Sequence, residues 1–315
     1  MSRGERFARN VGWGLAGQGA VAAINLFIIP RLTRGFGVEA YGLYLLMQSA
    51  VGWAGALHFG AGQGLVRFAA QSQAEGKRGA LDDTLRHGAL LIIGGTALGA
   101  IVLWFAAPAL VGRVFVVPAY YRAHGIWMIR AAAIGAVFSA VTAWAGAAFQ
   151  GLQHFQWQSA ATVLQGILIP FGVLSALVIG RGLGAAAAAF VAVHALVALF
   201  SLYGLSRARG EVPHHGGHVS FSAFGRYSIG FWPAGLAQLV SGQLDRAFVA
   251  GLRSMSEFTL YAVPASVLAR VQTLPAMAST ALVPVMGGLS KHEGPETSAR
   301  LYLRASRTLM GLIAP

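Results

Sequence analysis

The sequence predicts an all-α, polytopic membrane protein with about eight complete transmembrane helices and part of a ninth. Three observations predict it. Of the 315 residues, 56% are hydrophobic and only 10% are charged, where a soluble domain carries about 25% charged residues. The apolar residues gather into runs of roughly 20, the length of helix that crosses the hydrocarbon of a bilayer. The basic residues gather in short loops between those runs, where topology determinants lie. A chain this apolar has too little polar surface to cover a water-facing globule. In lipid its apolar side chains can face outward. The net charge of +13 therefore does not point to nucleic acid, and no basic stripe interleaved with stacking aromatics lies on a polar background. The absence of Cys excludes disulfides and thiol chemistry.

The first helix is roughly Val11–Pro30. It is longer than the ~7–15 residues of a signal-peptide core, and Arg31 and Arg34 follow it instead of a small-residue cleavage site. The second is roughly Tyr41–Val66, the third about Leu85–Pro108 and the fourth about Gly125–Phe149. The fifth is about Trp157–Ile179 and the sixth about Leu183–Leu205. A polar stretch follows, Ser206–Ser220, with Pro213, several Gly and His214, His215 and His218. The seventh helix is roughly Phe224–Leu252 and includes charges, and the eighth is roughly Phe258–Met286, with Pro264, Pro275 and Pro284. A ninth begins near Leu301 and meets the end of the sequence about 15 residues on, too short to span, so a C-terminal truncation is expected.

Orientation follows from the positive-inside rule. One loop set holds 14 basic residues, among them Arg3, Arg67, Lys77, Arg78, Arg207 and Arg226, and the opposite set holds 6, among them Arg31, Arg113 and Arg253. The richer set contains the N-terminus, which is expected in the cytoplasm. Glycines at 12, 14, 17 and 19 crowd the first helix, and Gly95 and Gly99 form a small-xxx-small pair in the third. Small residues let helix backbones approach where lipid supplies no hydrophobic drive.

Soluble-type motifs do not survive inspection. Gly60-x-Gly62-x-Gly64 and Gly180-x-Gly182-x-Gly184 lack a preceding strand and the dinucleotide spacing, so packing and loops explain them. His214, His215 and His218 have no Cys or carboxylate pair to complete a metal shell and read as a solvated loop. Asp82 and Asp83 lie among Lys77, Arg78 and Arg86, which also reads as a solvated loop. No catalytic residue, metal or cofactor is predicted.

The informative residues are charges inside apolar runs. A charge at a helix centre costs about 2.5–3.5 kcal/mol on insertion scales, so it meets a partner or a wet cavity. Asp245 and Arg246 interrupt the seventh run, as a local ion pair at a helix end or as part of a path. Arg130 near the start of the fourth either snorkels to the interface or faces the same path. Arg270 is the most central of the charges. Gln18, Asn25, Gln48, Gln63, Gln165 and Gln238 add polar groups at helix depth, lining a path or bonding between helices. The candidate pathway residues are Arg246, Asp245, Arg270, Arg130, Gln18 and Asn25. Arginine binds phosphate oxygens through two parallel donors, so a basic cavity suits a diphosphate head group.

The N-terminal segment reads Asn10-Val-Gly-Trp13, Gly17-Gln18, Pro30-Arg31-Leu32, then Gly35-Phe-Gly-Val-Glu-Ala-Tyr41-Gly42-Leu43-Tyr44. His58-Phe59-Gly60 and Leu65-Val66-Arg67-Phe68-Ala69 come next, and the second half adds Asp245-Arg246, Phe258-x-Leu260-Tyr261 and Ala281-Leu-Val-Pro284. In order and spacing these resemble bacterial polysaccharide transporters, the O-antigen flippase-like group of the multidrug/oligosaccharidyl-lipid/polysaccharide exporter superfamily. Where the family pattern often has Asp, this chain has His58. The resemblance implies two six-helix lobes: residues 1–205, a cytoplasmic linker at 206–223, and the start of an incomplete second lobe at 224–315. It also implies alternating access driven by an ion gradient or membrane potential, with H+ or Na+ as coupling ion. The expected cargo is an undecaprenyl-diphosphate-linked oligosaccharide in the bacterial inner membrane, for lipopolysaccharide-type surface glycans. Glycosyltransferases and a glycan polymerase of the same pathway are the expected partners. The segment from Arg31 to Tyr41-x-Leu43-Tyr44 also resembles that from Arg246 to Phe258-x-Leu260-Tyr261, as in transporters built from repeats.

Three alternatives remain at this level. A drug–cation antiporter of the same superfamily requires acidic residues in an N-lobe cavity, and acids at helix depth are scarce there. A membrane-bound glycan polymerase or ligase requires a large outer loop. A non-transporting scaffold requires no cavity.

Overall fold

The computed structural model describes residues 19, 21, 23–180, 182–213 and 215–268. Gln18, Arg270, the predicted ninth helix and the eighth beyond residue 268 lie outside them. Every regular element among the described residues is helical. Helix α1 covers 23–36, and Gly37 turns the chain into α2, Val38–Ala54. Helix α3 is Ala61–Ala74, α4 is Arg78–Val114, α5 is Arg122–Gly151, α6 is Phe155–Val178 and α7 is Gly182–Gly210. Helix α8 is Phe221–Ile229, opened by the Ser220 side chain, which accepts from the Ala223 amide at 3.2 Å. Helix α9 runs as Trp232–Leu239, a π turn at Val240–Leu244 and Asp245–Leu252, and α10 covers 255–268.

Helix α4, the segment Ala119–Gly151, α6 and α7 are each long and apolar enough to cross a membrane. They are the third to sixth helices of the sequence reading. The second and seventh predicted helices are broken. Predicted Tyr41–Val66 divides at the 3₁₀ turn Gly55–His58, where Phe59 and Gly60 take left-handed φ of 50° and 68°. Predicted Phe224–Leu252 divides between α8 and α9 at Gly230–Phe231. The two breaks lie against each other. The Trp232 indole donates to the carbonyl of Ala56 at 3.1 Å. A Cβ on Gly60 would sit 2.9 Å from the Trp232 nitrogen and closer still to the Ser228 carbonyl. Gly95 and Gly99 of α4 leave room for the backbone of Leu57 and Ala54 in the first break. Those two glycines thus serve the close approach their spacing predicts.

Residues 23–262 form one compact unit, and the other comprises 1–22 and 263–315. Within the first, α5 is central, packed against α2, α3, α4 and α7, while α6 packs on α7. Its contact faces are Ala-rich, with Ala132, Ala136 and Ala148 fully enclosed. Large apolar side chains point outward instead, as at Phe105, Val178 and Leu199. This is the surface of a protein whose solvent is lipid.

Candidate functional site

The predicted Asp245–Arg246 pair lies at the π turn of α9. A π turn adds a residue to the helix and re-aims the side chains beyond it. Asp245 Oδ2 accepts from the Tyr261 hydroxyl of α10 at 2.5 Å. No ion pair joins Asp245 to Arg246 among the described residues. Gln243 lies against α2, where a Cβ on Gly52 would meet its side-chain amide at 3.3 Å. Gln243 Oε1, Asp245 Oδ1 and Arg246 Nε are all buried with no hydrogen-bond partner among the described residues. A buried polar atom left unpaired costs about 1–3 kcal/mol. Three such atoms fall on four consecutive residues.

Around it, the end of α9 is tied to the connection after α4, and α10 is tied to the start of α2. The Val116 amide donates to Ala250 O at 3.0 Å, and Thr259 Oγ1 donates to Val38 O at 2.7 Å. The Tyr120 hydroxyl bonds Glu39. The connections 115–118 and 253–254 on this face are short.

At the opposite end the 211–220 linker is strapped down. Arg209 grips Asp82 with two bonds of 2.6 and 2.7 Å. His218 Nδ1 lies 2.5 Å from Asp83 Oδ2, which also accepts from the Val219 amide at 3.3 Å. Burial pushes the Asp83 carboxyl up, but the Val219 amide and His218 outweigh it and hold it below the usual range. The Gly79 amide donates to His215 O at 3.3 Å, and His154 lies 3.3 Å from Glu211. Val212 and Phe224 are buried in one core with Leu65, Leu81 and Phe149. The histidine loop and Asp82–Asp83, each read as a solvated loop, therefore bind one another. Clefts of about 320 and 440 Å³ flank the strap.

A family model described as polysaccharide biosynthesis protein matches residues 7–290, which take in α1 to α10, both helix breaks and the strap. The chain belongs to that family. Its fold is similar to two solved structures. The MATE multidrug transporter DinF-BH, in complex with R6G, superposes with a TM-score of 0.66 at 13% identity, over 98% of this chain and 71% of that one. A chain described only as "protein A" gives 0.57 at 14% identity, over 97% and 68%. No curated protein matches the sequence. Family and fold, with four helices long and apolar enough to cross a membrane, make this a multi-pass membrane protein of the polysaccharide biosynthesis family.

Of the other pathway candidates in this family member, Arg130 on α5 lays its guanidinium over the Trp104 ring of α4, 5.1 Å from the centroid, and its Nε is buried without a hydrogen-bond partner among the described residues. No bond or ring contact joins it to Asp245 or Arg246 among the described residues. Asn25 has a packing role that the sequence explains. Pro170 in α6 has no N–H for the carbonyl four residues back, which is Gly166, and Asn25 Nδ2 donates to that carbonyl at 3.4 Å. Gln18 and Arg270 lie outside the described residues. Two polar contacts have partners, Thr96 and His194, that were not singled out in the sequence, although His58 and Gln165 were. His58 Nε2 meets Thr96 Oγ1 at 2.5 Å across the first helix break, and His194 Nε2 meets the Gln165 amide at 3.0 Å. Their signal was single polar residues at the middle of apolar runs.

Proposed function

We propose that the chain moves an undecaprenyl-diphosphate-linked oligosaccharide from the cytoplasmic to the outer leaflet of a bacterial inner membrane. The flipped glycan serves surface polysaccharide assembly, alongside the glycosyltransferases and polymerase of the same pathway. The N-terminus and the 206–223 linker lie in the cytoplasm. Residues 1–205 form one lobe and 224–315 belong to the other, and the lobes alternate access under an H+ or Na+ gradient.

The observation that carries this reading is Arg246, whose Nε is buried with no partner among the described residues, beside Gln243 Oε1 and Asp245 Oδ1 in the same condition. A guanidinium left short of acceptors at helix depth suits phosphate oxygens, which it binds bidentately. The short connections on the same face argue against a polymerase, which needs a large outer loop. Flipping of a fluorescent undecaprenyl-diphosphate oligosaccharide in proteoliposomes tests the reading. Arg246→Ala should flip it at least about tenfold more slowly, the loss of one charge-assisted hydrogen bond. An undiminished rate would remove the support that Arg246 supplies.

A further inference from the structure

His194 stands at the middle of α7, only 4% exposed, in a stretch otherwise of alanine, valine and leucine. The path through α9 does not use it. Its Nδ1 lies 2.9 Å from the Phe190 carbonyl, which can only accept, so Nδ1 carries a hydrogen. In the neutral ring Nε2 is then an acceptor, and its partner at 3.0 Å, the side-chain nitrogen of Gln165 on α6, donates to it.

We propose that His194 is a proton-binding site and that the Gln165 amide is the element that reads its charge. On protonation Nε2 becomes a donor and cannot keep facing an NH₂ group. Rotating the Gln165 amide by half a turn presents its oxygen instead, so both ring nitrogens are satisfied in either state. The Phe190 ring packs against it, tilted, with centroids 4.2 Å apart. A bystander histidine would need one arrangement of partners; this one has two.

The readout is placed where α6 is weakest. Gln165 precedes Gly166, the carbonyl that Pro170 leaves unpaired and that Asn25 of α1 satisfies. Moving the Gln165 side chain therefore acts at the loosened turn of α6 and at its tie to α1. Few other charges compete for the proton. Helix α6 has no titratable residue. On α5 the nearest in sequence depth is Arg130, turned onto Trp104, with His124 and Arg122 toward that helix's start. Helix α2 offers Tyr41, Tyr44, which packs edge-on to Phe190, and Glu39, held by Tyr120 and Ser256. Helix α1 offers Arg31, bonded to Phe27 O, and Arg34, and α7 itself has Tyr203, Arg207 and Arg209 toward its far end.

The role of this proton in transport rests on the flippase reading; the protonation itself does not. Nitrogen NMR of the full chain, labelled on histidine and glutamine side chains, tests the second. The imidazole signal missing from His194→Gln should pass from the neutral Nδ1–H form to the doubly protonated form between pH 8 and 5. The Gln165 amide signal should move at the same midpoint. Gln165→Leu, which keeps His194, should weaken proton binding about tenfold, one pH unit. A ring that stays neutral to pH 5, or a midpoint unmoved by Gln165→Leu, overturns the site. In proteoliposomes a pH gradient should speed flipping of the fluorescent lipid-linked probe in the wild type and leave His194→Gln unstimulated. Equal stimulation in both overturns the coupling role. Titration of His194 with no flipping by the wild type supports the proton site and counts against the flippase reading.

Discussion

At the linker end of the fold each acid beside the strap has found a base. Asp82 has Arg209, Asp83 has His218 and Glu75 has Lys77 at 2.8 Å. At the π turn of α9, Gln243, Asp245 and Arg246 each keep a buried polar atom with no partner among the described residues. The first region is partly wet, so its pairs are individually weak and need geometry and number to matter. In the second the residues are half-buried, but three of their polar atoms are enclosed, and enclosed atoms left unpaired carry a penalty that persists where function uses it. Charge in the strap holds two segments together. On the proposed reading, charge in α9 is held for the polar groups of a ligand.

The largest effect that can break this contrast is in α9. Arg246→Ala should cut flipping by about 10–100-fold, from the 1.5–3 kcal/mol of a hydrogen bond to a charged group. Its melting temperature should stay level or rise, because a desolvated atom without a partner is removed. A large fall in melting temperature would make Arg246 structural. Next is Arg209→Ala, which breaks the two-pronged grip on Asp82. At the partial exposure of that pair, about 1 kcal/mol of stability is expected to go, with flipping changed less than about threefold, under 1 kcal/mol in barrier. Arg209→Lys should not restore it, since an ammonium cannot match the fork.

A smaller effect is in pH. Unfolded, Asp83 titrates near the ordinary value of about 3.9; folded, its carboxyl lies lower. The strap's contribution is full above about pH 4 and is lost as pH falls through the depressed folded value. Protease cutting between 213 and 218 should rise in that window, and Asp83→Asn should make cutting independent of pH there. Smallest of all is Glu75→Gln. Its pair with Lys77 is open to solvent, and the melting temperature should not move.

Much of this was legible in the residues. The third to sixth helices follow from unbroken apolar runs, and Gly95 and Gly99 follow from spacing. The helix breaks were not, because Trp53 to Gly64 stays apolar and glycine-rich whether or not the helix turns at Gly55. Helix periodicity has no term for a neighbouring break that Trp232 fills. The strap was hidden for another reason: Asp82 and Arg209 are 127 positions apart, and a charge among charges looks solvated until the fold brings its partner. Asp245 and Arg246 stood out because lipid makes any charge in an apolar run conspicuous. What the residues did not indicate was that they would decline each other, Asp245 taking Tyr261 instead.

The most direct measurement is transbilayer movement of a fluorescent undecaprenyl-diphosphate oligosaccharide in proteoliposomes of the full chain, with Arg246→Ala and Arg209→Ala in parallel. The account predicts that the wild type accelerates movement, that Arg209→Ala stays within about threefold of it, and that Arg246→Ala loses at least about tenfold. No acceleration by the wild type, or an Arg246→Ala rate equal to it, would contradict the account.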